Sequence, residues 1–416
     1  VYDPGELLDP AAGASWRLAR RGWLVDRAAL RALVVKRDEA VRRAAVSADR
    51  RTRVSARVRA AARAGADLAA LRSEARGLKE GERAARSAAL AASERLAAFL
   101  LDVPATPDDR VPDGATEECA VELRRWSAPG AGLRAETTTA ERPGGRTPAD
   151  PGRTSVTRAR LERVVGGFLL DLHGTRHGYD EVSLPLLVEP EMSHRGPRGP
   201  AAPASLVGLT SAQWTRYVAP GGDIGMTLVH AGRSLPVERL PLAHVALSPQ
   251  LGVDDLRSPG GGGASQPGVG QTTTVDLLRV CLPERLDVEF RRLVAHAEEC
   301  LRHLELSHRV LLVPAGDLGF AARRAVRIQV WSPRRRRYHD LTTISDCGTF
   351  LARRTNTRVR PREGGRQYAG IVHGAALPVG PTVTALLEQH GRTDGLVRVP
   401  AALVGGLVGR RLLAVV

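Results

Sequence analysis

Residues 240–263, LPLAHVALSPQLGVDDLRSPGGGG, end in four consecutive glycines. A glycine run lets backbone amides approach a phosphate closely, so nucleotide binding is the chemistry this stretch offers. The continuation GGGGASQPGVG has no Gly-Lys-Ser/Thr, so it is not a phosphate loop of that type. His173 and His177, spaced i, i+4 in HGTRHG, could present two ring nitrogens to a metal from one helical face. The pattern lacks a glutamate after the first histidine, and the expectation is a structural turn without a metal. The run Arg334–Arg337 sits between two predicted strands, where a hairpin turn exposes it to solvent or to nucleic acid.

Charge points to a polyanionic partner. The chain has 61 Lys or Arg against 45 Asp or Glu, a formal +16, and Lys36 and Lys79 are its only lysines. A GC-rich coding bias explains arginine over lysine but not the excess of bases over acids. Cys119, Cys281, Cys300 and Cys347 are far apart and form no C-x-x-C pair, which suggests neither a zinc knuckle nor a disulfide framework. No apolar run is long enough to span a bilayer, and VYDPGELLDPAAGA lacks a basic segment followed by an apolar one. The expectation is a cytoplasmic protein, neither membrane-spanning nor exported.

The elements that must position this chemistry fall into three parts: residues 1–101, a helical arm; 102–157, a connector and Pro/Gly-rich linker; and 158–416, a mixed domain. Residues 27–100 contain no proline and one glycine-marked break near 63–68, the composition of two long helices joined by a turn. Leu68, Leu71, Ala75, Leu78, Glu82, Ala85, Ala89, Ala92, Leu96 and Phe99 step by 3 and 4, which predicts a coiled-coil seam. Leu30, Leu33, Val34, Val41, Ala44, Ala45 and Ala48 are its expected counterpart, giving an antiparallel hairpin of roughly 50 Å. The hairpin holds 18 bases against 8 acids, with Arg42, Arg43, Arg50, Arg51, Arg53, Arg57 and Arg59 towards its tip. That charge suits a nucleic-acid backbone or, equally, a solvated helix exterior.

Residues 127–157 read as a linker or loop. Beyond them the pattern predicts a helix at 157–174, a strand-like stretch at 181–189, a helix at 284–305, strands near 308–314, 325–332 and 337–344, and a helix at 382–391. Strands and helices do not alternate regularly. The predicted fold class is therefore α+β, an antiparallel sheet flanked by helices and preceded by the helical hairpin.

Four blocks, in order, resemble the seryl-tRNA synthetases, which are class II aminoacyl-tRNA synthetases. DVPATPDDRVPDGATEECAVELRRW (102–126) is similar to the segment after that family's arm. FLLDLHGTRHGYDEVSLPLLV (168–188) resembles motif 1, with Pro185 at the motif's proline. GDLGFAARRAVRIQVWSPRRRRYHDLTTISD (316–346) resembles the central sheet, and VHGAALPVGPTVTALLEQH (372–390) motif 3. The resemblance implies a homodimer whose arm holds serine tRNA and presents it to the other subunit. It also implies ATP and magnesium as the means of making seryl-adenylate.

Placed on the family's motifs, the chain differs at many positions. Gly252 stands at the α-phosphate arginine of motif 2, Val253 beside it, and Asp254 at the motif's glutamate. Thr272 takes the place of the adenine-stacking phenylalanine and Asp276 that of a serine-binding glutamate. In the serine pocket's Thr-x-Glu, Gly221 replaces threonine, Gly222 follows, and Asp223 replaces glutamate. Asp340 replaces a metal-binding glutamate, Leu341 lies next to it, Thr342 and Thr343 replace serines, Asp346 replaces asparagine, and Gln329 stands at a glutamate. Motif 3 is about three residues shorter, and Pro381 takes the place of its γ-phosphate arginine.

Removing one transition-state donor typically costs ~10²–10³ in rate. These changes lead to an expected seryl-tRNA synthetase-like protein that binds tRNA through its arm but has lost or altered ATP-dependent serine activation. The alternatives are an active serine–tRNA ligase with a rearranged pocket, with Arg257 or Arg324 supplying a cation, and a protein-interaction scaffold without RNA binding.

Overall fold

The computed structural model describes residues 2–65, 67–129, 156–193, 195–199, 207–219, 221–251, 271–361 and 365–414. The linker expected at 127–157 lies almost wholly outside them. The chain divides into two compact units, residues 1–19 with 23–103, and residues 20–22 with 104–416.

In the first unit, short helices α1 (Pro4–Leu8) and α2 (Ala14–Arg20) precede two long ones, α3 (Arg27–Arg63) and α4 (Ala69–Leu101). Asp26 caps α3 by accepting from Ala29 N at 2.9 Å, and Asp67 accepts from Ala69 N at 2.9 Å to start α4. Such caps satisfy amides that have no intrahelical acceptor. Gly65, with φ +69, makes the left-handed turn between the helices.

The predicted seam of α4 is the face that packs on α3: Glu82 and Leu96 are buried and the other eight positions are half-buried. On α3 the expectation needs correction, because Val41 and Ala45 are exposed, while Ala40 and Val54 are buried and Ser47, Arg51 and Val58 half-buried. The reason is visible in Glu82. Its buried carboxylate pairs with Arg51 across the hairpin and with Arg86 at 2.9 Å along α4, so a polar layer sets the register around which the alanines pack. A buried charge without such partners would be strongly unfavourable.

The second unit is built on an eight-stranded sheet. Its strands are β1 (Val121–Trp126), β2 (Asp180–Glu181), β3 (Leu242–Leu251), β4 (Gln271–Cys281), β5 (His308–Leu312), β6 (Arg324–Ser332), β7 (Arg337–Asp346) and β8 (Gly370–Pro378). They lie in the order β1-β5-β6-β7-β8-β4-β3-β2, antiparallel throughout except for β2 with β3. Helices α5 (Val156–Asp171), α6 (Gly222–Leu228), α7 (Leu286–His303) and α8 (Val379–His390) complete the frame. In the main core, Leu161, Val165 and Leu169 of α5, Phe290, Leu293 and Leu301 of α7, and Val383 and Leu386 of α8 pack on Val275, Leu277, Val326, Ile328 and Val330 of the sheet. Alternation along β4 then turns Thr274 and Asp276 to the other face.

The predicted strand at 181–189 is broken, with only Asp180–Glu181 and Leu187–Val188 extended into sheets on either side of Pro185. Four strands of this sheet went unpredicted, β1, β3, β4 and β8. Pro249 in β3 argues against a central strand, yet β3 is nearly an edge: its outer neighbour β2 covers only His244 and Val245, so Pro249 removes no ladder bond there. Gly374 in β8 has a packing reason, since a Cβ there would lie 2.7 Å from Thr343 O on β7. Among the described residues no helix is long and apolar enough to cross a membrane.

Candidate active site

The polar face of the sheet is organised around two adjacent glycines. Gly221 and Gly222 open α6, and Asp223 lies in its first turn. Opposite them, Asp276 on β4 is buried and accepts a hydrogen bond from Ser248 Oγ on β3. A Cβ on Gly222 would collide with both Asp276 Oδ2 and Ser248 Oγ, so glycine is what lets the carboxyl and hydroxyl groups approach the backbone here. The two carboxylates feel one another: burial, and then the charge of Asp223, push Asp276 up to about 7, although Ser248 and Arg198 act the other way. His373, half-buried on β8, is lowered by desolvation, with the charge of Asp223 acting the other way.

Arg198 closes the pocket. Its Nε donates to Asp223 Oδ2 at 2.8 Å and its Nη2 to Asp223 Oδ1 at 3.4 Å. The neighbouring cleft is lined by Leu184, Pro185, Gly221, Gly222, Leu247 and Ser248. Two carboxylates, a hydroxyl and a guanidinium around a small opening fit a compact zwitterion, ammonium on the acids and carboxylate on the arginine. Gln250 and Thr274 continue the lining, with Thr274 Oγ1 donating to Gln250 Oε1 at 2.8 Å.

Thr272, near the start of β4, meets the Gly380–Pro381 head of α8. A Cβ on Gly380 would lie 2.9 Å from Thr272 Oγ1, and Pro381 is exposed at the head of α8. Sequence reasoning missed the cation that stands there. Arg158, from α5, donates through Nη2 to Gly380 O at 3.1 Å and Thr384 Oγ1 at 3.0 Å, and through Nε to Glu162 at 3.0 Å. Gly252, Val253, Asp254 and Arg257 lie outside the described residues.

Asp340 and Gln329 face each other across β6 and β7. Gln329 Nε2 donates to Asp340 Oδ1 at 2.7 Å and to Glu117 Oε1 at 2.5 Å, and its Oε1 accepts from Arg309 Nε at 2.7 Å. Asp340 Oδ2 also lies 3.4 Å from Arg327 Nε. Gln329 thus bridges two carboxylates, and about half of each acid side chain stays exposed (54% for Asp340, 48% for Glu117). Thr342 turns to β8, donating to Ala375 O at 2.6 Å, while Thr343 is exposed. Leu341 belongs to the main apolar core and presents no side chain to the polar face. Arg324 is no spare cation: it is buried, paired with Asp287 at 2.9 Å and Asp346 at 3.2 Å, and stacked on Phe290.

His173 and His177 gain a third histidine, His296 of α7, with all three ligand atoms within 4.8 Å of one another. His177 and His296 stack with planes only 3° apart, so no point lies in both ring planes as metal ligation demands. Their nitrogens meet Glu299, Tyr179 and Cys300 instead. Burial, and then the neighbouring histidines, lower His173 to about 3; burial and His177 lower His296 to about 4.

On the arm, Arg51 pairs with Glu82, Arg53 with Asp49 at 2.6 Å, Arg43 with Glu39 at 3.5 Å and Arg57 with Glu74 at 3.7 Å. Arg42, Arg50 and Arg59 are exposed and have no ion-pair partner among the described residues. The seven are thus not equivalent.

An antiparallel sheet with α5, α7 and α8 on one face and this polar site, with α6, on the other is the architecture of a class II aminoacyl-tRNA synthetase core. A model of the tRNA synthetase class II core domain (G, H, P, S and T) matches residues 265–390. Serine–tRNA ligase 2 of Streptomyces avermitilis is 38% identical, with 99% of each chain covered, and serine–tRNA ligase of Methylobacterium nodulans is 34% identical, with 97% of each covered. The chain belongs to the seryl-tRNA synthetase family. Its fold also matches seryl-tRNA synthetase from Pyrococcus horikoshii, solved with ATP, at a TM-score of 0.80 over 100% of both chains and 20% identity. Cytoplasmic serine–tRNA ligase from Naegleria fowleri, solved with AMP, gives 0.74 at 14% identity, with 99% of this chain covered.

Proposed function

We propose that the protein is a serine–tRNA ligase working from a rearranged pocket. It joins serine to ATP as an adenylate and passes the seryl group to tRNA, acts as a homodimer, and holds the tRNA on its arm. The observation that carries the reading is the convergence of Asp223, Asp276 and Ser248 on the Gly221–Gly222 floor, which gives an amino-acid ammonium two carboxyl groups and a hydroxyl as acceptors. Full-length identity to serine–tRNA ligases, arm and core together, supports it.

In this reading the serine carboxylate attacks the α-phosphorus and pyrophosphate leaves. In place of the lost phosphate arginines this reading offers Arg158, which reaches the head of α8 from another helix with Nε on Glu162 and Nη2 on Gly380 O and Thr384 Oγ1. A second reading, tRNA binding without activation, draws support from Pro381, which has no charge where the family carries one, and from the engagement of Arg324.

Serine-dependent exchange between pyrophosphate and ATP decides between them. Turnover that needs serine supports the ligase, and its absence under conditions where tRNA still binds leaves the second reading. If affinity for serine tRNA did not weaken with added salt, the arm's role in either reading would be wrong.

A further inference from the structure

We propose that Arg198 is the residue that receives the carboxylate of the bound amino acid. This rests on the amino-acid site of the reading above, but not on the chemistry that follows binding.

Arg198 lies in a Gly/Pro-rich segment, RGPRG (195–199), and brings to the pocket a cation that no motif assigns. Asp223 occupies one side of the guanidinium, Nε and Nη2. Among the described residues Nη1 has no hydrogen-bond partner, and a third of the side chain is exposed (33%). The pairing therefore fixes the orientation of the planar fork and leaves its outer edge available. A fixed fork is what bidentate carboxylate recognition requires.

The remaining groups place the rest of the ligand. Gly221 lies between Arg198 and Asp223, since a Cβ there would be 3.2 Å from each of Arg198 Nη2 and Asp223 Oδ1. Gly222 next to it faces Asp276 and Ser248. An α-amino acid laid along this pair of glycines puts its carboxylate at the outer edge of Arg198 and its ammonium at Asp276. A small side chain then points into the cleft beside Leu184, Pro185 and Leu247. Arg198 thus holds Asp223 and the ligand at once, a positioning role that a lone carboxylate pair cannot fill.

Calorimetric titration of wild type, Arg198→Gln and Arg198→Lys with L-serine and with L-serinamide separates the ends of the ligand. Serinamide keeps the ammonium and the hydroxymethyl group but has no carboxylate. Wild type is expected to prefer serine by ~10–100-fold, the effect of one charge-assisted hydrogen-bonded pair. Arg198→Gln should lose that preference by weakening serine alone, and Arg198→Lys should keep part of it. Retained serinamide binding shows that the variant pocket is folded.

A preference that survives in Arg198→Gln overturns the assignment. So does tighter serine binding by that variant, which would make the guanidinium an occupant that blocks the site. Wild type that binds neither compound overturns both this assignment and the ligase reading. Carboxylate preference without serine-dependent pyrophosphate exchange removes the ligase reading and leaves Arg198 in its role. Exchange that is unchanged in Arg198→Gln does the reverse.

Discussion

Two places along β4, its middle and its start, differ in how they are furnished. At the middle, Asp276 and, on α6, Asp223 stand at the positions where the family resemblance places acids, one methylene shorter, and the carboxylates meet around Gly221–Gly222. Near the start, Thr272 and Pro381, which the resemblance places at the nucleotide, are uncharged, and the cation beside them comes from α5 as Arg158. Short carboxylates can be tolerated because the glycines bring the backbone close. Proline cannot become a cation by any local adjustment, so the charge has to arrive from another element.

The most severe test of this contrast is at Asp276. Removing one partner of a buried polar pocket costs roughly a hundredfold or more in affinity, so Asp276→Ala is expected to abolish measurable serine binding in calorimetry while leaving ATP affinity within a few-fold of wild type. Equal loss of both ligands would mean that the two places are not separable.

Arg158→Ala should act in the opposite sense, weakening ATP by ~10-fold or more and sparing serine. The complementary change, Pro381→Arg, restores a guanidinium at the head of α8 and is expected to raise ATP affinity in the Arg158→Ala background. Fluorescent-nucleotide titration reads both, and an Arg158→Ala variant with normal ATP affinity would leave the proposed phosphate site without a described cation.

The arm gives a smaller, graded effect. Replacing Arg42, Arg50 and Arg59 by Gln should flatten the slope of log affinity for tRNA against log salt by ~2–3, because each phosphate contact contributes about 0.7–0.9. Replacing Arg43, Arg53 and Arg57, which already hold acids, should change the slope less. An identical change in both triples would remove the distinction drawn from the ion pairs.

The pH dependence of stability sharpens the electrostatic side. His173 and His296 are held neutral in the folded protein, at about 3 and about 4, against 6.5 unfolded. Their contribution is fully present above 6.5 and is lost as pH falls towards those values. Asp276, raised from 3.8 to about 7, runs the other way: its contribution is complete below 3.8 and is lost as pH rises to about 7. Thermal melts should therefore show Asp276→Asn gaining over wild type at pH 8 but not at pH 4. A constant difference across that range would contradict the burial of an ionisable Asp276.

Legibility followed the range of the determining interactions. The seam of α4 is readable directly because its periodicity is local, and every member is half-buried or buried. Its partner face on α3 is less readable, since the packed line through Ala40, Ser47, Arg51, Val54 and Val58 includes two polar residues, and the apolar Val41 and Ala45 lie off it. Strands β3 and β4 escape because Pro249 and a threonine run carry no alternating apolar signal. Ser248 could have been found by counting in twos along β3 opposite Asp276, whereas nothing periodic marks Arg198.

The amino-acid sequence by itself determined the helical hairpin, the α+β class, the excess of basic charge and the family, because these depend on composition, local periodicity and motif order. Tertiary structure alone decided which charged groups meet. It used up Arg324 in the core, bound Asp340 to Gln329, carried Arg158 to the head of α8 and laid Arg198 against Asp223. Those partners are 11 to 222 residues apart in sequence, and proximity created by sheet pairing and helix packing leaves no trace in spacing along the chain.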